Sequence, residues 1–305
     1  MPLFENHVGI SVSSNKLRLV ELIFSNNEFY AENVDEVDLT EEIDANNFDE
    51  NSVNVLRSSF NKLISQNNLK SNFVSFCLDP EFFEIIEIPY ESTILKNDLT
   101  DQFRWELSKL KPSLNPEDYL IQSIELQSTV FKRTNQSAIL FLHKNILRSL
   151  KKISAESNLE LKYVDYSHTA ANLFFKVLKV PQTSEGISIL KSERYISVIY
   201  LTDLKPAAVI KKHYADGEFE KEIKKVFEYL QHHNIELEKL SFAYFCPNKI
   251  SDNEINTIEE QLHFTPDIIN PFKSINFSKS FNSEVDITEN PSRFASAAGV
   301  ALRLL

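Results

Sequence analysis

The sequence predicts an α/β fold of two lobes, the first carrying an inserted α+β subdomain. Three observations predict it. Apolar residues recur at strand spacing and at helical spacing by turns along nearly the whole chain. The second part of the chain repeats the order of the first, a three-stranded meander followed by helices. A strand-helix-strand-strand-helix run interrupts the first lobe, whose strand pattern resumes at 161. The expected division is 1–80 with 159–182 for the first lobe, 81–158 for the insert, and 183–305 for the second lobe with its C-terminal helix.

Each element has its own signal. Residues 7–12 and 17–24 read as an opening hairpin, and 28–34 as a third strand. The run 35–50 (DEVDLTEEIDANNFDE) holds eight carboxylates with few apolar partners and is expected to be a solvated loop. Val53, Leu56, Phe60 and Leu63 recur at helical spacing, which predicts a helix over 51–67, and 73–78 is a buried strand. In the insert, 82–88 is a strand ended by Pro89. Leu95, Leu99, Phe103, Leu107 and Leu110 share one face of a helix over 93–110, closed by Pro112. Strands follow at 119–126 and 137–142, then a helix over 144–157. Strand 161–166 and helix 167–179 return to the first lobe, and KVPQTSEG (179–186) is the linker signal. Strands at 187–190, 195–201 and 207–210 follow, with Lys205-Pro206 as the turn between the last two. The rest reads as helix 217–234, strand 240–245, helix 251–262, a short strand at 267–269, an irregular stretch over 270–290 and a closing helix, FASAAGVALRLL.

Composition excludes several functions. The chain has 305 residues, enough for two lobes around their own cores. It holds only four glycines, Gly9, Gly186, Gly217 and Gly299, where average usage would give about 20. Loops that cradle phosphates need backbone N–H groups unobstructed by a Cβ, so no Walker A or GxGxxG loop can be built. The net charge of −12 disfavours nucleic acid and an anionic membrane face, and favours a cationic protein segment as partner. MPLFENHVG lacks a basic n-region and an apolar h-region, so no signal peptide is expected, and no apolar run nears the ~20 residues of a membrane span.

Little other chemistry stands out. Cys77 and Cys246 sit in aromatic-rich runs and read as buried strand thiols. No HExxH, CxxC or EF-hand pattern occurs, so no metal is expected. His232-His233 suits a helix C-terminus, and Ser167-His168 lacks the GxSxG elbow of a hydrolase. Glu81, Glu84 and Glu87 are expected to decorate an exposed strand edge. Phe82-Phe83 and Trp105 flank the insert and are candidate anchors for a partner peptide. For Trp105 a place in the insert's own core is the favoured alternative; for the Phe pair the two readings are even.

Four stretches carry a resemblance. GISVSSNKLRLVEL (9–22) resembles the first phosphate hairpin of the PilM branch of the actin-like ATPase superfamily, which runs close to GIDIGSSSIKLVEL. FRWELSKLKPSLNPEDYLIQ (103–122) resembles that family's helix-to-strand passage, with Trp105, Glu106, Pro112, Glu117 and Asp118. LKYVDYSHTAANLFFK (161–176) resembles its return from insert to first lobe through a Val-Asp pair. FASAAGVALR (294–303) resembles its closing helix, with Gly299 and Arg303 in place. The resemblance implies a bilobal actin-like (RNase H-like) fold whose insert replaces an actin subdomain, as in FtsA.

It also implies a role. PilM-like proteins, and the related cytoplasmic region of GspL, serve as adaptors at the cytoplasmic face of the inner membrane. There the family grips the N-terminal cytoplasmic tail of a single-span protein, PilN, in a groove between first lobe and insert. Departures from the pattern are pointed. The family's two phosphate-motif aspartates fall at Ser11 and Leu190, and its loop glycines at Ser13 and Ser192. The Gly-Gly segment of the second lobe is replaced by KKHYADG (211–217). Ser11, Ser13, Ser14, Asn15, Leu190, Ser192 and Gly299 are therefore expected to be remnants of a nucleotide site, without a carboxylate to hold Mg²⁺. The expectation is a pseudo-ATPase scaffold with no catalytic residue and no cofactor, which docks a PilN-like tail and connects it to a motor ATPase or to a filament. The competing expectation is an active ATPase that binds MgATP through Ser13, Ser14 and Asn15, with Glu21 or Asp203 nearby.

Overall fold

The computed structural model describes residues 6–26, 28–90, 96–127, 135–176, 184–283 and 285–304. The linker stretch at 177–183 lies outside the described residues; Gly186, the last residue of that signal, lies within a strand.

Three sheets organise the chain. The first contains β1 (His7–Val12), β2 (Lys16–Ser25), β3 (Glu28–Asp38), β4 (Phe73–Leu78) and β8 (Glu160–Tyr166). Helix α1 (Glu50–Gln66) joins β3 to β4 and buries Val55, Leu56, Phe60 and Leu63 against this sheet. Asp49 caps it, its carboxylate accepting the Ser52 N–H at 2.8 Å. The second sheet contains β9 (Glu185–Lys191), β10 (Tyr195–Thr202), β11 (Lys205–His213), β12 (Phe242–Pro247) and β13 (Asp267–Ile268), backed by α5 (Phe219–His232) and α6 (Asp252–Leu262). The small sheet β5 (Phe83–Pro89), β7 (Gln136–His143), β6 (Tyr119–Leu126), with α2 (Lys96–Leu110) and α3 (Lys144–Glu156), forms the insert.

The internal repeat is visible in the strand order. The first sheet runs β3-β2-β1-β4-β8 and the second β11-β10-β9-β12-β13. In each, three antiparallel strands are followed by two parallel ones. This mixed order is the RNase H-like arrangement that the sequence predicts.

Five local expectations are corrected. The stretch 270–290 is not wholly irregular: β14 (Asn276–Asn282) adds to the outer edge of the first sheet, parallel to β3. Its broken register and polar, alternating residues hid it from a pattern reading. The segment after 183 thus contributes to both large sheets. The β10–β11 turn is Asp203-Leu204, both at positive φ (53° and 59°), and Lys205-Pro206 already lies in β11. That is the geometry of a two-residue hairpin with the twist of its strands. β3 extends to Asp38, so Asp35 is buried in the sheet, where it accepts from the Asn67 amide at 2.7 Å. The helix after β8 is short: α4 (Ser167–Ala171) tightens into a 3₁₀ turn over Asn172–Lys176. The closing helix α7 (Ala295–Ala301) likewise ends in a 3₁₀ turn.

Helix α7 is the keystone of the packing. It lies against β1, β2, β4 and α4, with all seven residues buried. Its small residues permit this approach. A Cβ on Gly9 would stand 2.0 Å from the Ala297 carbonyl oxygen, and one on Gly299 would stand 2.0 Å from that of Ala170. Arg303, just past the helix, pairs with Asp165 at the end of β8 at 3.3 Å. The third and fourth stretches of the family resemblance therefore meet in space.

Candidate functional site

Two places gather chemistry: the cleft where the two hairpins face each other, and a groove beside it. The first hairpin turn is held by its own atoms. The Ser13 N–H donates to the Lys16 carbonyl at 3.0 Å, and the Ser13 hydroxyl meets the Asn15 side chain at 3.0 Å. The second turn repeats this: the Ser192 N–H donates to the Tyr195 carbonyl at 2.9 Å. Where the family pattern expects glycines, Tyr214 is buried, its hydroxyl donating to the Ser192 carbonyl at 2.5 Å.

The sequence reading missed the carboxylates here. Asp79 follows β4, and its N–H donates to the Val12 carbonyl, which places it beside the first turn. Burial pushes its carboxyl up to about 7, with Arg18, Ser167 and Asn248 pulling it back and Glu193 pushing it up. Glu81, in the 3₁₀ turn Pro80–Phe82, is also raised to about 7 by burial, then by Asp79, with Ser14 opposing. Glu81, Glu84 and Glu87 are thus not edge decoration. Glu84 pairs with Lys111 at 3.4 Å, and Glu87 accepts the Val209 N–H of β11 at 3.1 Å. The only prior signal for Asp79 was its place just after a buried strand.

The cations near these turns have partners. Arg18 is paired with Glu36 at 3.2 Å, Arg194 with Glu42 at 2.6 Å, and Lys191 with Glu254. The buried Ser11 Oγ has no hydrogen-bond partner, while Ser14 stands against Glu81, and Ser167 and Asn248 against Asp79, without meeting them in full hydrogen-bond geometry. Among the described residues no group of three or more His, Cys, Asp or Glu is placed to hold a metal ion.

Other expected site residues are dispersed. Leu190 is a core residue of β9, paired with Ser197 and Cys246. Gly299 lines no loop; it is a packing residue of α7. Glu21 sits toward the far end of the β1–β2 hairpin, where it accepts the Lys70 and Ser71 N–H groups at 2.7 and 2.8 Å. Asp203 is in the turn at the end of β10 remote from Ser192. Neither stands at the Ser13 or the Ser192 turn. His168 is fully buried, and its ring nitrogens meet Ser197 at 2.6 Å and Ser188 at 2.8 Å, tying α4 to β10 and β9. Burial lowers it to about 3, so it bridges the lobes as a neutral imidazole. His233 closes α5, its ring against the Tyr229 carbonyl at 2.8 Å.

The groove lies between the first lobe and the insert. It encloses about 340 Å³, with Phe82, Phe83, Phe141, Phe48 and Tyr119 in its walls and Glu81 and Glu84 at its side. Phe82 and Phe83 are both buried, and Phe83 stands edge-on to Tyr166 at 5.3 Å. The Phe pair thus belongs both to the core and to the groove wall. Trp105 does not join them, nor is it in the insert core: it is 57% exposed on the outer face of α2, with Lys109 over its ring. Helix α2 buries Phe103 and Leu107 instead. Both cysteines are buried strand thiols.

This architecture is that of the actin-like ATPases. Among solved structures, the chain resembles a chain of the PilM-PilN type IV pilus biogenesis complex, at 15% identity over 99% of each chain and a TM-score of 0.75. It also resembles the cytoplasmic domain of EpsL, an inner membrane component of the type II secretion system of Vibrio cholerae. That match is 9% identical over 98% of this chain and 95% of the other, with a TM-score of 0.52. A Bacteroides thetaiotaomicron protein with an actin-like ATPase fold and unknown function matches at 10% identity over 90% and 93%, with a TM-score of 0.55. No protein-family model matches the chain, and no curated protein matches it in sequence. At these identities the likeness establishes the fold, which the sequence resemblance implied. Among the described residues no helix is long and apolar enough to cross a membrane.

Proposed function

We propose that this chain is a cytoplasmic adaptor of a pilus- or secretion-type envelope machine. It grips the N-terminal cytoplasmic tail of a single-span inner-membrane protein, a PilN-like partner, and so stands at the membrane without entering it. It links that tail to a motor ATPase. The single observation that carries this reading is the aromatic-walled groove between first lobe and insert, in a fold shared with the PilM-PilN complex. Half-buried Phe48 and Tyr119, backed by the buried Phe82, Phe83 and Phe141, offer apolar contact to an extended peptide in this concave wall.

Nucleotide turnover is not part of the proposal. Three carboxylates, Asp79, Glu81 and Glu193, surround the turns that would hold phosphates, and the nearby cations are paired. The Ser13 and Ser192 N–H groups are committed to their own hairpins. A polyphosphate placed there would meet like charge and few free donors. These residues do not fit MgATP.

The test is fluorescence anisotropy of the full chain with synthetic N-terminal tails of single-span membrane proteins encoded beside it. Saturable binding that is lost in a Phe48→Ala variant is expected; absence of binding by every tail would sink the adaptor reading. One observation favours the second reading, a residual MgATP site: the partnerless Ser11 hydroxyl in the cleft, beside Ser14, Asp79 and Ser167, whose mutual hydrogen bonds are incompletely made. Thermal unfolding with excess MgATP decides between them. A ligand at 100 times its Kd adds about 2.7 kcal/mol, a rise of at least ~2 °C for a chain of this size. No rise is expected.

A further inference from the structure

Charge is not spread evenly over the fold. Helices α1 and α3 lie side by side on the face of the first sheet away from α7, and both bury their apolar residues in one core. Arg57 of α1 pairs with Glu156 of α3 at 3.0 Å, and the Ser157 hydroxyl donates to the Asn61 side chain at 3.2 Å. Together the two helices span 30 residues. They carry six cations, Arg57, Lys62, Lys144, Arg148, Lys151 and Lys152, against two carboxylates, Glu50 and Glu156. The layer is thus +4, and the other 275 residues are −16, within a chain of −12.

On α3 the cations are sorted to one side. Lys144, Arg148, Lys151 and Lys152 fall within an arc of about 100° at 3.6 residues per turn, while Ile146, Leu150 and Ile153 are buried on the other side. Arg148, Lys151 and Lys152 are exposed, as is Lys62 on α1. Arg148 reaches only the Asn145 amide oxygen, at 3.1 Å, and Lys144 only the Glu117 carbonyl. Apart from Arg57, none of these cations has an ion pair among the described residues. The carboxylates beside them are few. Glu156 is committed to Arg57, Asp49 to the Ser52 N–H and hydroxyl, and Glu50 stands at one edge, in the first turn of α1.

That combination narrows the partner. Protein interfaces rest on aromatic, Met and Arg anchors in desolvated pockets and are poor in Lys. Here three exposed lysines and one exposed arginine stand on two helices that expose no large apolar side chain among the described residues. Long cations without an anchor suit an extended plane of phosphates. The net charge of the chain does not forbid this, since carboxylates more than about 10 Å away are screened at physiological salt. Their uneven placement also turns the basic layer toward a negative surface.

We infer that the α1–α3 layer is a contact face for anionic phospholipid headgroups. Both helices use their apolar sides in the core, so the contact is electrostatic and stays at headgroup depth. It orients the chain on a membrane and does not rest on the tail-binding reading above.

Co-sedimentation of the full chain with phosphatidylcholine vesicles, holding either no phosphatidylglycerol or about 30% of it, tests this at about 50 mM and about 300 mM salt. Binding is expected only with phosphatidylglycerol, and weakens as salt rises. An Arg148→Gln, Lys151→Gln, Lys152→Gln variant, altered only at exposed positions, is expected to bind about tenfold more weakly or worse. A Lys205→Gln, Lys249→Gln, Lys273→Gln variant removes the same charge from exposed positions of the second lobe and is expected to bind as the parent does. Equal losses in the two variants mean that net charge alone acts, and overturn the inference. So does an absence of binding at low salt, or binding indifferent to phosphatidylglycerol. Binding of poly-glutamate or heparin that depends on Arg148, Lys151 and Lys152, without vesicle binding, makes this face a contact for an acidic macromolecule and also overturns it. Tail-peptide anisotropy is expected to be unchanged in both variants, so either reading can fail while the other stands.

Discussion

Asp79→Asn separates the electrostatics of the cleft from its packing. Burial beside Glu193, with only partial relief from Arg18, Ser167 and Asn248, pushes the Asp79 carboxyl in the folded chain up to about 7 from its ordinary 3.8. The folded state therefore holds its proton to higher pH than the unfolded state does. Between about pH 4 and pH 7 the fold binds more protons, so stability falls as pH rises through this window and stays reduced above it. A shift of that size corresponds to at most about 4 kcal/mol at alkaline pH, and relaxation around the charge reduces it to roughly 1–3 kcal/mol. Asparagine keeps the shape and removes the charge. The variant should be more stable than the parent by about 1–3 kcal/mol at pH 8, with roughly a third of that gain already present at pH 5 and none left below about pH 3.5. His7, lowered to about 4 by burial and Lys162, and His168, lowered to about 3, oppose this trend. They are present in both proteins and cancel in the difference, whereas Glu81, raised in part by Asp79, is relieved in the variant and adds to its gain at pH 8. Chemical denaturation followed by far-UV circular dichroism at pH 5, 6.5 and 8 measures it; the lone Trp105 is too exposed to report on the core. A difference independent of pH, or a variant less stable at pH 8, would refute the argument that a costly buried charge sits in this cleft.

Other expectations are simpler. Gly299→Ala and Gly9→Ala each drive a Cβ to 2.0 Å from a backbone oxygen, and should cost about 3 kcal/mol or more, or abolish soluble expression. Gly217→Ala meets no atom within 4 Å and bears only the strain of φ +74°, about 1 kcal/mol, so thermal melts of the three variants should rank accordingly. His168→Ala leaves the Ser188 and Ser197 hydroxyls facing a cavity; equilibrium denaturation should show a loss of about 2–4 kcal/mol, with no effect on peptide binding to the groove. Trp105→Ala should change stability by less than ~0.5 kcal/mol, since its ring covers no core.

The parts legible in the sequence were those written in periodicity. Helix α1, the insert strands and the meander of each lobe follow from spacing alone, because each buries one face against a continuous core. Strand β14 was illegible because its pairing partner, β3, is about 250 residues earlier and its side chains are mostly polar. Proline misled at the β10–β11 turn, since an edge strand accepts a residue without an N–H and the two positive-φ positions fell on Asp and Leu. For the site, the loss of loop carboxylates at Ser11 and Leu190 was readable, but the carboxylates that occupy the cleft were not. Asp79 and Glu81 reach it from β4 and the turn after it, and only the β1–β4 register brings them there. Trp105 was misplaced because helical spacing assigns Phe103 and Leu107 inward without deciding what a neighbouring ring does.

Glycine use joins these observations. A nucleotide-cycling fold places glycines where phosphates approach the backbone. Here the two glycines of the central interlock serve helix approach instead, Gly9 beneath Ala297 and Gly299 over Ala170, and the turns that would meet phosphate carry serines. The same helix ties the end of the chain to the first sheet through Arg303 and Asp165. His168 joins α4 to β9 and β10, Arg194 joins the second hairpin to Glu42, and Glu87 joins the insert to β11. Relative motion of the lobes would break several of these at once, including a fully buried bridge whose partners would be left unsatisfied. A cleft so tied is suited to holding the groove wall of Phe48, Phe82 and Phe83 in place, because preorganised walls lose little entropy when a peptide arrives. The rigidity that opposes a nucleotide cycle thus favours the binding of a flexible tail.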